Sequence, residues 1–167
     1  MITQPARKIY SFTLTITLLG LISACSSQPV ERAVNRTARI PVVHSTSIGE
    51  RAAAVALQQV GVPYRYGGST TSGFDCSGLV QYSYRRAGKT VPRTTGQLWS
   101  STSTVKRNEL QAGDLLFFSI DGKMSHVGMY LGGQRFVHAP STGRKVTVAS
   151  LDSPFYSRAL VRAGRPK

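Results

Sequence analysis

The chain has 167 residues, 41% hydrophobic and 17% charged. That size suits one domain with a short appendage, and the apolar content excludes disorder along the whole length. Lys and Arg number 21 against 7 Asp and Glu, a formal charge of +14 that calls for an anionic partner or surface. The basic residues are scattered between Arg32 and Arg162 without a tight block, so general attraction to anions is preferred to a nucleic-acid groove.

Residues 1–24 read as an export signal. Arg7-Lys8 is a positive start, residues 9–22 are mostly apolar, and small residues follow at Ser23-Ala24. The apolar stretch is short for a membrane span and diluted by Thr and Ser. The ending Ile22-Ser23-Ala24-Cys25 resembles the lipobox of bacterial lipoproteins. That resemblance implies cleavage before Cys25, lipid on its thiol and amine, and stable attachment to a membrane by more than one acyl chain. Ser26, as a non-Asp residue after the cysteine, implies the outer membrane, facing the periplasm. A protein at that address does not normally meet DNA. Residues 25–46 lack periodicity and core residues and read as a flexible tether, with His44 a solvated bystander.

The domain proper is expected over 47–167. Ser47 and Glu50 fit a capping box, followed by a helix to Val60 with Ala52, Val55, Ala56 and Val60 on its inner face and Gly61 and Pro63 as stops. Residues 64–74 read as a Gly-rich loop. A second helix starts at Asp75, with Leu79, Val80, Ser83 and Ala87 inward, and ends at Gly88. A short helix fits Thr94–Ser100. Strands are expected at Asp114–Ser119, His126–Leu131, Gln134–Ala139, Lys145–Ser150 and Arg158–Ala163, with turns between them, including one at Asp152-Ser153-Pro154. Helices first and a β-meander afterwards make an α+β fold with an antiparallel sheet.

Cys76 falls in the first turn of the second helix. A helix N-terminus carries about +0.5 of a charge and unpaired amides, which favour a thiolate and provide donors for an oxyanion. A buried structural cysteine is the commoner fate of a lone thiol. Its place at a helix tip, its polar neighbours Asp75 and Ser77 and the two downstream histidines weigh toward a nucleophile. His126 and His138 flank a hairpin. A three-residue turn, Gly132-Gly133-Gln134, pairs Leu131 with Arg135 and Gly128 with His138 and puts both imidazoles on one face. A two-residue Gly132-Gly133 turn separates them. The small Gly128 opposite His138 would leave room for the rings. One imidazole would then take the thiol proton and the other orient it. Zinc bound by one Cys and two His is a rival, ranked lower because no tight ligand spacing is present.

Six segments in order resemble the NlpC-type family of bacterial cell-wall cysteine peptidases: Pro63–Ser69, Gly73–Val80, Val91–Arg93 with Gln97, Ala112–Phe118, Ser125–Tyr130 and Gln134–Ala139. Within that family the lipoprotein leader and small size are most similar to the Spr/MepS-type murein endopeptidases. The resemblance implies a papain-like fold, helices on an antiparallel sheet of five to six strands. It implies Cys76 as nucleophile, His126 as general base and His138 as the orienting residue. Tyr64 matches a residue contacting oxyanion or substrate, Asp75 and Ser77 shape the helix tip and the peptide-stem site, and Arg93 lies on a substrate-side or structural segment. The expected activity is hydrolysis of peptide bonds in peptidoglycan stems or cross-links, without cofactor or metal. A silent wall-binding lipoprotein and an amidase or acyltransferase on the same scaffold are the alternatives. The bond cut and any regulatory partner are left open.

Overall fold

The structure, a computed structural model, describes residues 46–167. The expected signal segment, Cys25, His44 and all but the end of the tether lie outside the described residues. The domain begins at α1 (Ile48–Leu57), and its capping box forms as expected: Glu50 N donates to Ser47 Oγ (3.1 Å) and Ser47 N to Glu50 Oε2 (2.7 Å). The helix stops three residues short of Val60, so Val60 turns outward and Gln59 is buried in its place, while Ala52, Ala53 and Ala56 face the core.

The segment expected as a plain loop holds a two-residue ladder, β1 (Ser69–Thr70) with β2 (Gly73–Phe74). It delivers the chain into α2 (Cys76–Arg86), whose Leu79, Val80 and Ser83 face inward as expected, with Tyr84 beside them. The short helix forms as α3 (Thr95–Ser100), and Thr94 and Gln97 make a second capping box. The strand after it, β3 (Thr102–Val105), was not foreseen.

The remaining strands are β4 (Leu115–Ile120), β5 (Lys123–Gly132), β6 (Arg135–His138), β7 (Thr147–Ser150) and β8 (Leu160–Pro166). They join β3 in one antiparallel sheet of order β3-β8-β4-β5-β6-β7. Pro154, read above as a turn residue, instead starts α4 (Pro154–Ala159): Ser153 caps it and proline sits where a missing N–H costs nothing. The last strand therefore begins later than the expected Arg158.

Central β4 explains the layering. Its run Leu115-Leu-Phe-Phe118 is wholly buried because both faces of the sheet are covered. Leu115 and Phe117 join Val127, Met129 and Val137 beneath α1, α2 and α3. Leu116 and Phe118 join Tyr130, Phe136 and Leu151 on the other face, against Tyr156 and Ala159 of α4. The fold is α+β, as the sequence implied, with four helices among the described residues, of which α4 was not expected.

The β5–β6 hairpin reaches the expected register by a different route. The turn is the two-residue Gly133-Gln134, both at positive φ (59° and 56°), and Gly132 pairs with Arg135. Leu131 is an extra, bulged residue, so the ladder beyond runs Tyr130 to Phe136 and Met129 to Val137. Continued one step, that register sets Gly128 against His138. The space above Gly128 is filled by the Phe136 ring, not left for the imidazoles; a Cβ there would collide with it.

Candidate active site

Cys76 is the first residue of α2, and the helix tip that presents it is built by a clamp. The Asp75 carboxylate caps the helix by accepting from Gly78 N (2.6 Å). Arg93 grips the same carboxylate with both terminal nitrogens (2.9 and 2.6 Å) and also donates to Ser77 Oγ (3.0 Å) and the Gly68 carbonyl (3.3 Å). Burial pulls the Asp75 pKa up, but the hydrogen bonds from Arg93 and Gly78 outweigh it and hold the carboxyl below its ordinary value. Asp75 is thus an anion at neutral pH. Gly78 lies so close to Gly68 that a Cβ would overlap the Gly68 carbonyl oxygen. The helix tip and the Gly-rich loop are therefore one rigid unit.

The thiol opens into a groove of about 500 Å³ lined by Tyr64, Tyr66, Arg93, Thr94, Thr95 and Ser125, among others. Cys76 Sγ lies 3.7 Å from Thr95 Oγ1 and 3.9 Å from the Ser125 carbonyl oxygen. Among the described residues, the Cys76 and Ser77 amides have no acceptor, which leaves two donors free at the tip. Burial, then the neighbouring Cys76 and Asp75, raise the Tyr64 pKa, so its phenol keeps its proton as a donor.

The two histidines meet. His126 Nε2 and His138 Nδ1 are 2.8 Å apart, with the rings nearly perpendicular at 79°. His126 is 5% exposed and His138 2%. Burial holds both well below the ordinary imidazole value, to about 4 for His126, and for His138 the charge on His126 adds to it. Both are neutral at neutral pH.

Sheet parity puts this pair with Phe118 and Phe136, on the face away from α2. The two halves of the site approach each other at a bulge. Phe118 pairs with His126 and Ser119 with Met124, so Ser125 is an extra residue, exposed and out of the ladder. Its carbonyl is the one that touches Sγ, and it belongs to the peptide unit that leads into His126. No hydrogen bond joins the thiol to either imidazole among the described residues. Nor do three His, Cys, Asp or Glu side chains among those residues converge as metal ligands would.

Every site residue expected in the domain is accounted for. Tyr64, Asp75, Cys76, Ser77 and Arg93 line one groove, and His126 and His138 form a dyad behind its rim. Arg93, whose role was open, is the clamp on the helix cap. Sequence reasoning missed Thr95, the bulged Ser125 as a thiol contact, and Tyr156, whose hydroxyl is 3.3 Å from His138 Nε2. The Ser153-Pro154 pair, a helix-start signal read above as a turn, was the available signal for Tyr156.

The NlpC/P60 family model matches residues 61–165, which contain the whole of this arrangement. The chain belongs to the NlpC/P60 family. Its relatives include the murein DD-endopeptidase MepH of Escherichia coli, 41% identical over 115 residues, covering 65% of this chain and 42% of MepH. Another is murein DD-endopeptidase MepS/murein LD-carboxypeptidase of Escherichia coli, 41% identical over 106 residues, covering 63% of this chain and 56% of that protein. The chain thus spans about half the length of these relatives. Among solved structures, an NlpC/P60 family protein from Bacillus cereus superposes with a TM-score of 0.68 at 33% identity, over 72% of this chain and 41% of that one. The NlpC/P60 match thus covers the groove, the thiol and the dyad together.

Proposed function

We propose that this chain is a thiol hydrolase of peptidoglycan peptides, cutting a peptide bond in a stem or cross-link. The observation that carries the reading is a free thiol on a clamped helix tip, in an open groove, against the bulge that begins the His126–His138 dyad. The murein endopeptidase names of its relatives support the substrate class.

His126 Nε2 is engaged by His138, so Nδ1 is the nitrogen left for the thiol. Among the described residues Nδ1 makes no hydrogen bond, and His126 directly follows Ser125, whose carbonyl Sγ already touches. In the proposed reaction the Cys76 proton passes to His126 Nδ1 and sulfur attacks the scissile carbonyl carbon. The oxyanion is held by the free amides at the helix tip, with the Tyr64 hydroxyl a further donor. His126 returns the proton to the leaving amine as the C–N bond breaks. Water then attacks the thioester, giving a proton to His126, and the thiolate leaves. No step calls for a cofactor.

Anchoring through lipidated Cys25 at the outer membrane, with the domain in the periplasm on a 25–46 tether, belongs to the same proposal and rests on the lipobox-like sequence. The test is digestion of purified sacculi by the chain from residue 26 and by its Cys76→Ala variant, with mass spectrometry of what is released. The expected result is muropeptides from the first only, their masses naming the bond, with loss of activity to a thiol alkylator and not to a chelator. Equal release by both proteins overturns the thiol mechanism.

A further inference from the structure

The dyad does not end at His138. Beyond it, on α4, the Tyr156 hydroxyl lies 3.3 Å from His138 Nε2. The ring is held edge-on by Phe118, Phe136 and His138, so its position is fixed by packing on three sides. Burial raises the Tyr156 pKa while Arg144 works against it, and the phenol stays protonated.

A count of protons decides what this contact does. Each neutral imidazole carries one N–H, and the 2.8 Å contact needs one N–H and one bare nitrogen. If His138 were the donor, its Nε2 would be bare and the His126 proton would sit on Nδ1. That N–H is buried and finds no oxygen or nitrogen acceptor among the described residues. A buried donor left unpaired costs about 1–3 kcal/mol. If His126 is the donor, its Nδ1 is bare and free to take a proton. The His138 proton is then on Nε2, where Tyr156 Oη accepts it. Tyr156 also lines a second groove of about 790 Å³, toward which its phenolic hydrogen is then free to turn. That groove also holds the other charged groups around the pair, Asp121 from the β4–β5 turn and Arg144 and Lys145 from the β6–β7 loop. Only the second arrangement gives each imidazole N–H an oxygen or nitrogen acceptor among the described residues. It is also the one that survives when His126 becomes imidazolium, because Nε2 keeps its hydrogen.

We propose that Tyr156 is a positioning residue: by accepting the His138 Nε2–H it selects the tautomers that leave His126 Nδ1 free for the Cys76 thiol. This rests on the hydrolase reading above. Tyr156 sits on the opposite face of the sheet from the substrate groove, so it acts through the imidazoles and not on substrate.

The experiment pairs ring 15N spectra of the free protein with kinetics of Tyr156→Phe, which keeps the packed ring and removes the hydroxyl. In the wild-type chain both histidines are expected in the Nε2–H form. In Tyr156→Phe, kcat on soluble muropeptide is expected to fall 10- to 100-fold with KM little changed. The bell of kcat/KM against pH should narrow from both sides, since the thiolate–imidazolium pair is less favoured. A His126 proton found on Nδ1 in the wild type, or a Tyr156→Phe chain with unchanged kcat and pH profile, overturns the assignment. A wild-type chain that releases no muropeptides refutes the hydrolase reading instead, and the tautomers, read without substrate, still decide the role of Tyr156.

Discussion

At the scale of single residues, the neutral state of His126 and His138 has a consequence for stability. Unfolding returns both rings to water, where their pKa rises to the ordinary value near 6.5. Between that value and the depressed folded values, the unfolded chain binds more protons than the folded one, so stability is full above about pH 6.5 and falls as pH drops. His126 alone accounts for on the order of 3 kcal/mol across that window. Thermal unfolding followed by circular dichroism should give a flat Tm above about pH 7 and a steep fall toward pH 4. The fall should be shallower in His138→Gln, and a flat profile in the wild type contradicts buried neutral rings. The same residues show how far the sequence could be read. Cys76, His126 and His138 were legible because local spacing placed them on a helix tip and a hairpin, and Tyr64 only through the family resemblance. Thr95 and Ser125 were not, because they touch the thiol only after α3 folds back and β5 bulges, and neither event leaves a periodicity.

Among the elements, α2 and the loop before it act as one piece, and Gly78 is the reason they can. Gly78→Ala is expected to force the helix off the Gly68 carbonyl, break the Asp75 N to Gly68 O bond (3.0 Å), and cost about 2–3 kcal/mol in urea unfolding. Gly96, in α3, has open space where a Cβ would go, so Gly96→Ala serves as control and should be neutral or stabilise by up to about 1 kcal/mol. Similar midpoints for the two variants would refute the close-contact argument. The elements missed by sequence are those whose partners lie far along the chain. Thr102–Val105 is a short polar run that becomes a strand only by pairing with Thr102 to Pro166 register across β8. The hairpin turn was misplaced by one residue because a bulge at Leu131 gives the same downstream register as a longer turn. The core strands, by contrast, were legible from apolar runs such as Leu115–Phe118.

For the whole molecule, the +14 charge is the property no single element explains. Opposite in sign to wall polymers, it should hold the protein near anionic sacculi by a screened, long-range attraction. Retention on sacculi in a pull-down is expected to drop several-fold between about 0.05 and 0.5 M NaCl, where the Debye length shrinks from about 14 to 4 Å, while cleavage of a small soluble muropeptide changes little. Salt-independent retention would assign binding to the groove alone.

The sheet order carries one further consequence. β8 follows every other strand in sequence yet lies between β3 and β4. It brings Arg165 to the buried Asp114 (2.7 Å) and stacks Arg162 over Trp99 at 4.0 Å. A growing polypeptide therefore makes Cys76 and both imidazoles before it makes the strand that joins β3 to the rest of the sheet. Such distant pairing is slow to form and is completed late. A chain that ends before Leu160 therefore carries Cys76, His126 and His138 but lacks the strand that ties β3 to β4.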